Sequence, residues 1–160
     1  MNDFRRVDIN TETDFLLKMS ALQTTYLSVN PYLDNRELIL KKLNRNEIDI
    51  FSFTSNRSLE GVFLIKKIPY NNETAYIDYL AFSSDGDQEV VYLLDFLNTI
   101  YDIFNISKFI KCEEINDLRV TSFRKVGFNE AAKLREHQFY NGNYFTQKLY
   151  FLDVEDALFE

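Results

Sequence analysis

The groups in this chain that are able to carry a reaction include one histidine, one cysteine and a short acidic turn. His137 follows Glu136, and imidazole has the ordinary pKa best suited to taking up a proton near neutral pH. Cys112 lies in the apolar-flanked run FIKCEEI, where a buried structural thiol is expected rather than a nucleophile. A single Cys excludes an internal disulfide, and a single His beside it leaves no Cys/His cluster for zinc, so no metal site is expected. In the segment SSDGDQEVVYLL, Asp85, Asp87 and Glu89 stand at a helix start. Carboxylates there complement unpaired N–H groups and the helix dipole, so the first expectation for the three is capping.

These groups sit in a chain of 160 residues, 46% hydrophobic, which is long enough for one well-buried core and too short for two ordinary domains. Lys and Arg total 18 against 25 Asp and Glu. The resulting net charge of -7 argues against a nucleic-acid partner, which needs a basic face. It suits a cationic partner such as an amine or a basic peptide terminus. The N-terminus has no continuous apolar segment, and nowhere do about 18 uncharged apolar residues follow one another. A soluble, cytoplasmic protein without a membrane partner is expected, folded over residues 1–152 with an acidic tail over 153–160.

The hydrophobic period then assigns the elements. Phe4–Ile9 reads as a strand, and Asn10–Asp14 supplies a helix start before Phe15, Leu16, Met19, Leu22 and Tyr26. Asp34 and Glu37 have capping-box spacing ahead of a helix over Asn35–Leu43. From Ile48 the pattern is that of an antiparallel meander, with strands over Ile48–Thr54, Gly61–Ile68 and Thr74–Phe82. Val90, Leu93, Leu94, Leu97, Ile100, Tyr101 and Phe104 share one helical face that packs on the sheet. Phe109–Ile115 reads as a strand and Asn116–Val126 as a helix closed by Gly127 at C′. Asn141-Gly142 is a favoured hairpin pair, so Phe128–Tyr140 folds back on Asn143–Leu152. The large side chains Phe139, Tyr140, Tyr144, Phe145, Tyr150 and Phe151 are expected in sheet core or in a covered interface, a homodimer through these strands included. The fold class is α+β, a mixed and mostly antiparallel sheet of about seven strands flanked by about four helices.

Over the C-terminal half, IDYLAF (Ile77–Phe82), Asn116 with FRKVGF (Phe123–Phe128), and LREHQFYNGNY (Leu134–Tyr144) resemble the GNAT superfamily, the Gcn5-related N-acetyltransferases. The last of these segments is similar to the subgroup that modifies ribosomal protein termini, polyamines and amino sugars. The resemblance implies acetyl-CoA as cofactor, with its diphosphate at the helix after Ile77–Phe82. Gly86, Gln88, Glu89 and Val90 are the residues there that the family pattern maps onto, and Leu80, Ala81 and Phe82 the strand donors. Asn116 and Phe123 complete the implied cofactor set.

In the family's loop, small residues let backbone N–H groups approach the diphosphate. Here neither helix register restores that pattern, because Asp85, Gln88 and Val90, or Gly86, Glu89 and Val91, occupy the three positions. Many relatives also carry a proton-donating Tyr on the last helix, where this chain has Phe123; the adjacent Ser122 points in another helical direction. The implied reaction is direct attack of a neutral amine on the thioester, with Asp78, Glu136 and His137 as candidate bases. Its acceptor is a small amine, an amino sugar or a protein N-terminus. The other class consistent with the altered loop is a catalytically inactive GNAT-like fold that serves as a binding module.

Overall fold

Where the hydrophobic period switches from two to about 3.6, the chain leaves the sheet and lays a helix across it. The computed structural model describes residues 3–8, 11–12, 48–55, 58–81, 86–113, 117–140 and 142–157. Its strands are β1 (Asp3–Arg6), β2 (Ile48–Ser55), β3 (Ser58–Ile68), β4 (Asn71–Ala81), β5 (Lys108–Cys112), β6 (Asn129–Tyr140) and β7 (Asn143–Asp153). They form one seven-stranded sheet in the order β1-β2-β3-β4-β5-β7-β6. Every pairing is antiparallel except β4 with β5, which are joined through helix α1 (Gly86–Phe104). Two short helices follow, α2 (Val120–Lys125) and α3 (Val154–Ala157), so three helices are present among the described residues. The helices expected after Asn10–Asp14 and over Asn35–Leu43 lie outside them.

One face of the sheet packs on α1. Phe51, Phe53, Phe63, Ile65, Ala75, Ile77 and Tyr79 meet Leu93, Phe96, Leu97 and Ile100 there. The rings of Phe63 and Phe96 stack with centroids 4.0 Å apart, and Phe4 stands edge-on to Phe96 at 5.2 Å. Such contacts add to the burial of area that holds helix to sheet. The buried stripe of α1 is narrower than its periodicity suggested: Phe96 is fully buried, whereas Leu94 and Phe104 are exposed. The helix is turned so that Phe96 faces the sheet centre, which carries Leu94 outward.

Gly127 takes φ 102°, its N–H bonds the Arg124 carbonyl at 3.1 Å, and Phe128 N–H bonds the Phe123 carbonyl at 3.1 Å. These two bonds close α2 as a Schellman motif, as the glycine predicted. Gly142, at φ 81°, follows Asn141 in the β6–β7 hairpin. Past the last strand, Val154 N–H donates to the Ser107 carbonyl at 2.8 Å and its side chain joins the core, which pins the start of the acidic C-terminal segment.

Beyond β5 the hairpin is covered less. Tyr150, opposite Lys111, is buried, but Phe139 and Tyr144, whose rings lie 5.0 Å apart and tilted by 54° near the turn, are exposed rather than core. The reason is register: β5 pairs β7 only over Leu149–Asp153 and ends short of the hairpin tip. The central aromatic stack, by contrast, should dominate stability. Phe96→Ala is expected to lower the unfolding free energy by about 3–5 kcal/mol, read from urea denaturation monitored by circular dichroism.

Candidate functional site

The parallel pairing of β4 with β5 is short. It joins Thr74, Ala75 and Tyr76 to Lys108, Phe109 and Ile110 and then stops, although β4 continues along β3 to Ala81. The other edge of β5 pairs with β7 through Cys112. The two central strands therefore part towards the C-terminal end of β4, and α1 begins five residues after that end. A crevice outside the carboxyl ends of strands, where connections leave in different directions, is where open α/β sheets bind ligands.

Four charged side chains bridge the parting strands. Lys111 Nζ, on β5, lies 3.2 Å from Asp78 Oδ1 on β4 and 2.6 Å from Asp117 Oδ2. Arg119, from the turn before α2, places Nη1 3.3 Å from Asp78 Oδ1 and Nε 2.8 Å from Asp117 Oδ1. Lys111 and Asp78 are essentially inaccessible to water, and the Lys111 ammonium also lies 5.4 Å from the centre of the Phe123 ring. The network reaches the backbone as well. Arg119 Nη1 donates to the Tyr79 carbonyl at 3.0 Å, and Tyr79 N–H donates to Asp78 Oδ1 at 2.8 Å. Asp78 Oδ2 is the buried side-chain oxygen that lacks a hydrogen-bond partner among the described residues. Burial alone would raise the Asp117 carboxyl, but attraction to Lys111 and Arg119 outweighs it and holds the group below the ordinary carboxylate value.

At the start of α1 both first-turn carboxylates are engaged within the protein. Glu89 points back along the helix, as helical side chains do, and accepts from the Tyr79 hydroxyl at 2.5 Å and from Ser122 Oγ at 3.3 Å. Asp87 pairs with Lys125 at 3.1 Å. A carboxylate thus ties β4, α1 and α2 together. Burial, and then the bond to Glu89, push the Tyr79 hydroxyl well above the usual phenol value. Gly86 opens the helix with free space where a Cβ would stand, and Gln88 accepts from Tyr92 at 3.3 Å.

Glu136 and His137 lie elsewhere, on β6. Between the pairs Leu134↔Gln147 and Gln138↔Phe145, β6 places Arg135, Glu136 and His137 against Thr146 alone, and Glu136 adopts φ 49°. This bulge turns both candidates to solvent. Since β5 and β7 intervene, the β6 backbone stands about 14 Å from that of β4 at ordinary strand spacing, so the sheet does not bring Asp78 beside His137.

Of the other residues singled out from sequence, Gly86, Gln88, Glu89 and Val90 form the first turn of α1, and Leu80 and Ala81 end β4. Phe123 is fully buried against Tyr79 and Phe128. Phe82, Asp85 and Asn116 lie outside the described residues. Lys111, Asp117, Arg119 and Tyr79 were not anticipated. A signal existed: Phe109 and Lys111 occupy the inward positions of β5, so a lysine falls where an apolar residue belongs. The same alternation leaves Cys112 half-buried instead of buried. Among the described residues no group of three or more His, Cys, Asp and Glu could hold a metal ion, and no helix is long and apolar enough to cross a membrane.

Lys111→Met should lower stability at pH 7 by about 3–5 kcal/mol in urea unfolding, because it leaves buried carboxylates short of a cation. The depressed Asp117 carboxyl contributes stability that is present above its unfolded value and is lost as pH falls through its folded one. The gap between wild type and variant should therefore narrow in acid. A hydroxyl raised on folding contributes stability that is present below its unfolded value and is lost as pH rises through its folded one. The buried Tyr150 hydroxyl, bonded to Glu113, is pushed up to about 12, and with Tyr79 it should stay protonated until the fold opens. Tyr79→Phe and Tyr150→Phe should each remove one tyrosine from the class that ionises last in an absorbance titration.

No protein-family model and no curated protein sequence matches this chain. Solved structures do. The chain superposes on spermidine N-acetyltransferase from Vibrio cholerae in complex with CoA and spermine, at TM-score 0.77 and 17% identity, covering 98% of each chain. A dodecameric form of that enzyme matches at TM-score 0.73 and 18% identity, over 98% of this chain and 96% of the other. A chimera of the same enzyme with hSSAT gives TM-score 0.79 and 17% identity, over 99% of both. This chain has the fold of the GNAT polyamine N-acetyltransferases, as its C-terminal segments implied.

Proposed function

We propose that the protein is an acyl-CoA-dependent N-acyltransferase, with acetyl as the carried group, acting on a small amine. The observation that carries this reading is the parting of β4 and β5 beyond Tyr76 and Ile110, with the start of α1 beyond the end of β4. The residues fit such a cofactor. Gly86 leaves open space at the helix start, the Glu89 carboxylate is turned to Tyr79 and Ser122, and Asp87 is offset by Lys125. Backbone N–H groups of Gly86, Asp87 and Gln88, in the first turn of α1, would then hold the diphosphate, with Lys125 as the neighbouring cation. When bound, acetyl-CoA supplies an activated acyl group.

The chain's own residues do the rest. A polyamine is cationic and suits a protein of net charge -7. It must lose a proton before its nitrogen can attack, and because β5 and β7 separate β6 from β4, the proton passes through intervening water to His137, exposed on the β6 bulge with Glu136 beside it. A backbone N–H at the end of β4, within the segment Leu80–Phe82, polarises the acyl carbonyl. Amino sugars and protein N-termini carry the same nucleophile and stand second. We further place the protein in the cytoplasm and expect it to self-associate through the β6–β7 strands, where Phe139 and Tyr144 are exposed.

Two measurements test the reading. Titration calorimetry with acetyl-CoA and with free CoA should show roughly micromolar binding. Incubation with acetyl-CoA and spermidine or spermine should yield the acetylated amine by mass spectrometry. His137→Ala should lower kcat by about a hundredfold or more while leaving acetyl-CoA binding unchanged. Absence of binding by both titrants would remove the enzyme reading and leave the fold as a binding module.

A further inference from the structure

We propose that Arg119 is a positioning residue: by holding the Tyr79 carbonyl it keeps the end of β4 away from β5 and aims the Ala81 N–H into the gap. The inference rests on the acyltransferase reading for its functional consequence, and on backbone geometry for its structural content.

In a strand, the N–H and C=O of one residue point to the same side, and those of the next point to the other. Tyr79 offers its carbonyl to Arg119 Nη1 and its N–H to Asp78 Oδ1, and both of these side chains also bridge to the β5 side through Lys111 or Asp117. The backbone of Tyr79 therefore faces the gap. Leu80, opposite Val62, faces β3, and Ala81, two residues past Tyr79, faces the gap again. Of the three donors expected over Leu80–Phe82, alternation thus selects Ala81 among the described residues. The guanidinium suits this role because its fork can bond Asp117 through Nε while Nη1 reaches Asp78 and the Tyr79 carbonyl. With the Tyr79 carbonyl satisfied by Arg119, that group has no need of a β5 partner, and the strands do not zip shut.

A lysine at this position keeps the charge but cannot span Asp117 and the Tyr79 carbonyl together. In the ligand-free protein, Arg119→Lys should speed amide hydrogen exchange at Tyr79–Ala81 by at least about tenfold, with exchange over Val62–Ile65 on β3 unchanged. In the acetylation assay the same variant should lose about tenfold in kcat with little change in KM for acetyl-CoA, the split expected when a transition-state donor is misplaced. If Arg119→Lys does not fold, Asp117→Ala, which removes the oxygen that Nε bonds, is read in the same way. Unchanged exchange, or acceleration spread evenly over the sheet, overturns the proposal, as does an equal rise in KM with kcat intact. Should wild type neither bind nor transfer an acyl group, the enzyme reading falls, while the exchange result still decides whether Arg119 sets the strand end.

Discussion

The arrangement depends on how a sheet can open at its centre without leaving backbone groups stranded. Parting β4 from β5 removes ladder bonds in the interior, where an unpaired carbonyl or N–H costs about 1–3 kcal/mol. Asp78, Lys111, Asp117 and Arg119 resolve this by placing two anions and two cations in the opening, formally neutral as a set. Tyr79 gives both its backbone groups to that set. Burying four charges carries a large desolvation cost, and a pair of apolar strands zipped together would avoid it. What the charges maintain is a defined gap.

The molecule divides accordingly. From β1 to β4, the sheet is held to α1 by packing: Phe4, Phe51, Phe53 and Phe63 gather around Phe96. Around the gap, the elements are joined by polar contacts of fixed geometry. Glu89 links α1 to β4 and α2, Lys125 reaches Asp87, and Arg119 joins the approach to α2 to β4. Apolar packing tolerates small shifts, whereas a guanidinium bridging two carboxylates and a carbonyl permits few. Such contacts hold the opening beside the start of α1 at a defined width.

The fold was legible because its signals are local. Alternation named the strands, Asn141-Gly142 the hairpin and Gly127 the end of α2, all within a few residues of their effect. Segments at Ile77–Phe82, Phe123–Phe128 and Leu134–Tyr144 carried the likeness that the superposition on spermidine N-acetyltransferase shares. The site was less legible. The acidic start of α1 was expected to cap helix N–H groups, whereas Asp87 pairs with Lys125 and Glu89 acts through Tyr79, ten positions earlier, and Ser122, thirty-three later. Asp78 is no isolated titratable group, since its partners come from β5 and the turn before α2. The alternation of β5 flagged Lys111 as misplaced without naming its partners.

By itself the sequence determined the strands, the Asn141-Gly142 hairpin and the departure of the α1 start from the family's loop pattern, because these depend on periodicity and on residues adjacent in the chain. It also determined that Phe123 brings no hydroxyl to α2. Only the tertiary structure decided that β4 and β5 pair over three residues and then part, that four charges fill the parting, and that β6 bulges to expose Glu136 and His137. The physical reason is one of range. Periodicity reports which side of a strand faces inward, while the partners of a buried charge, and the point at which two strands separate, are set by groups that meet only after the chain has folded.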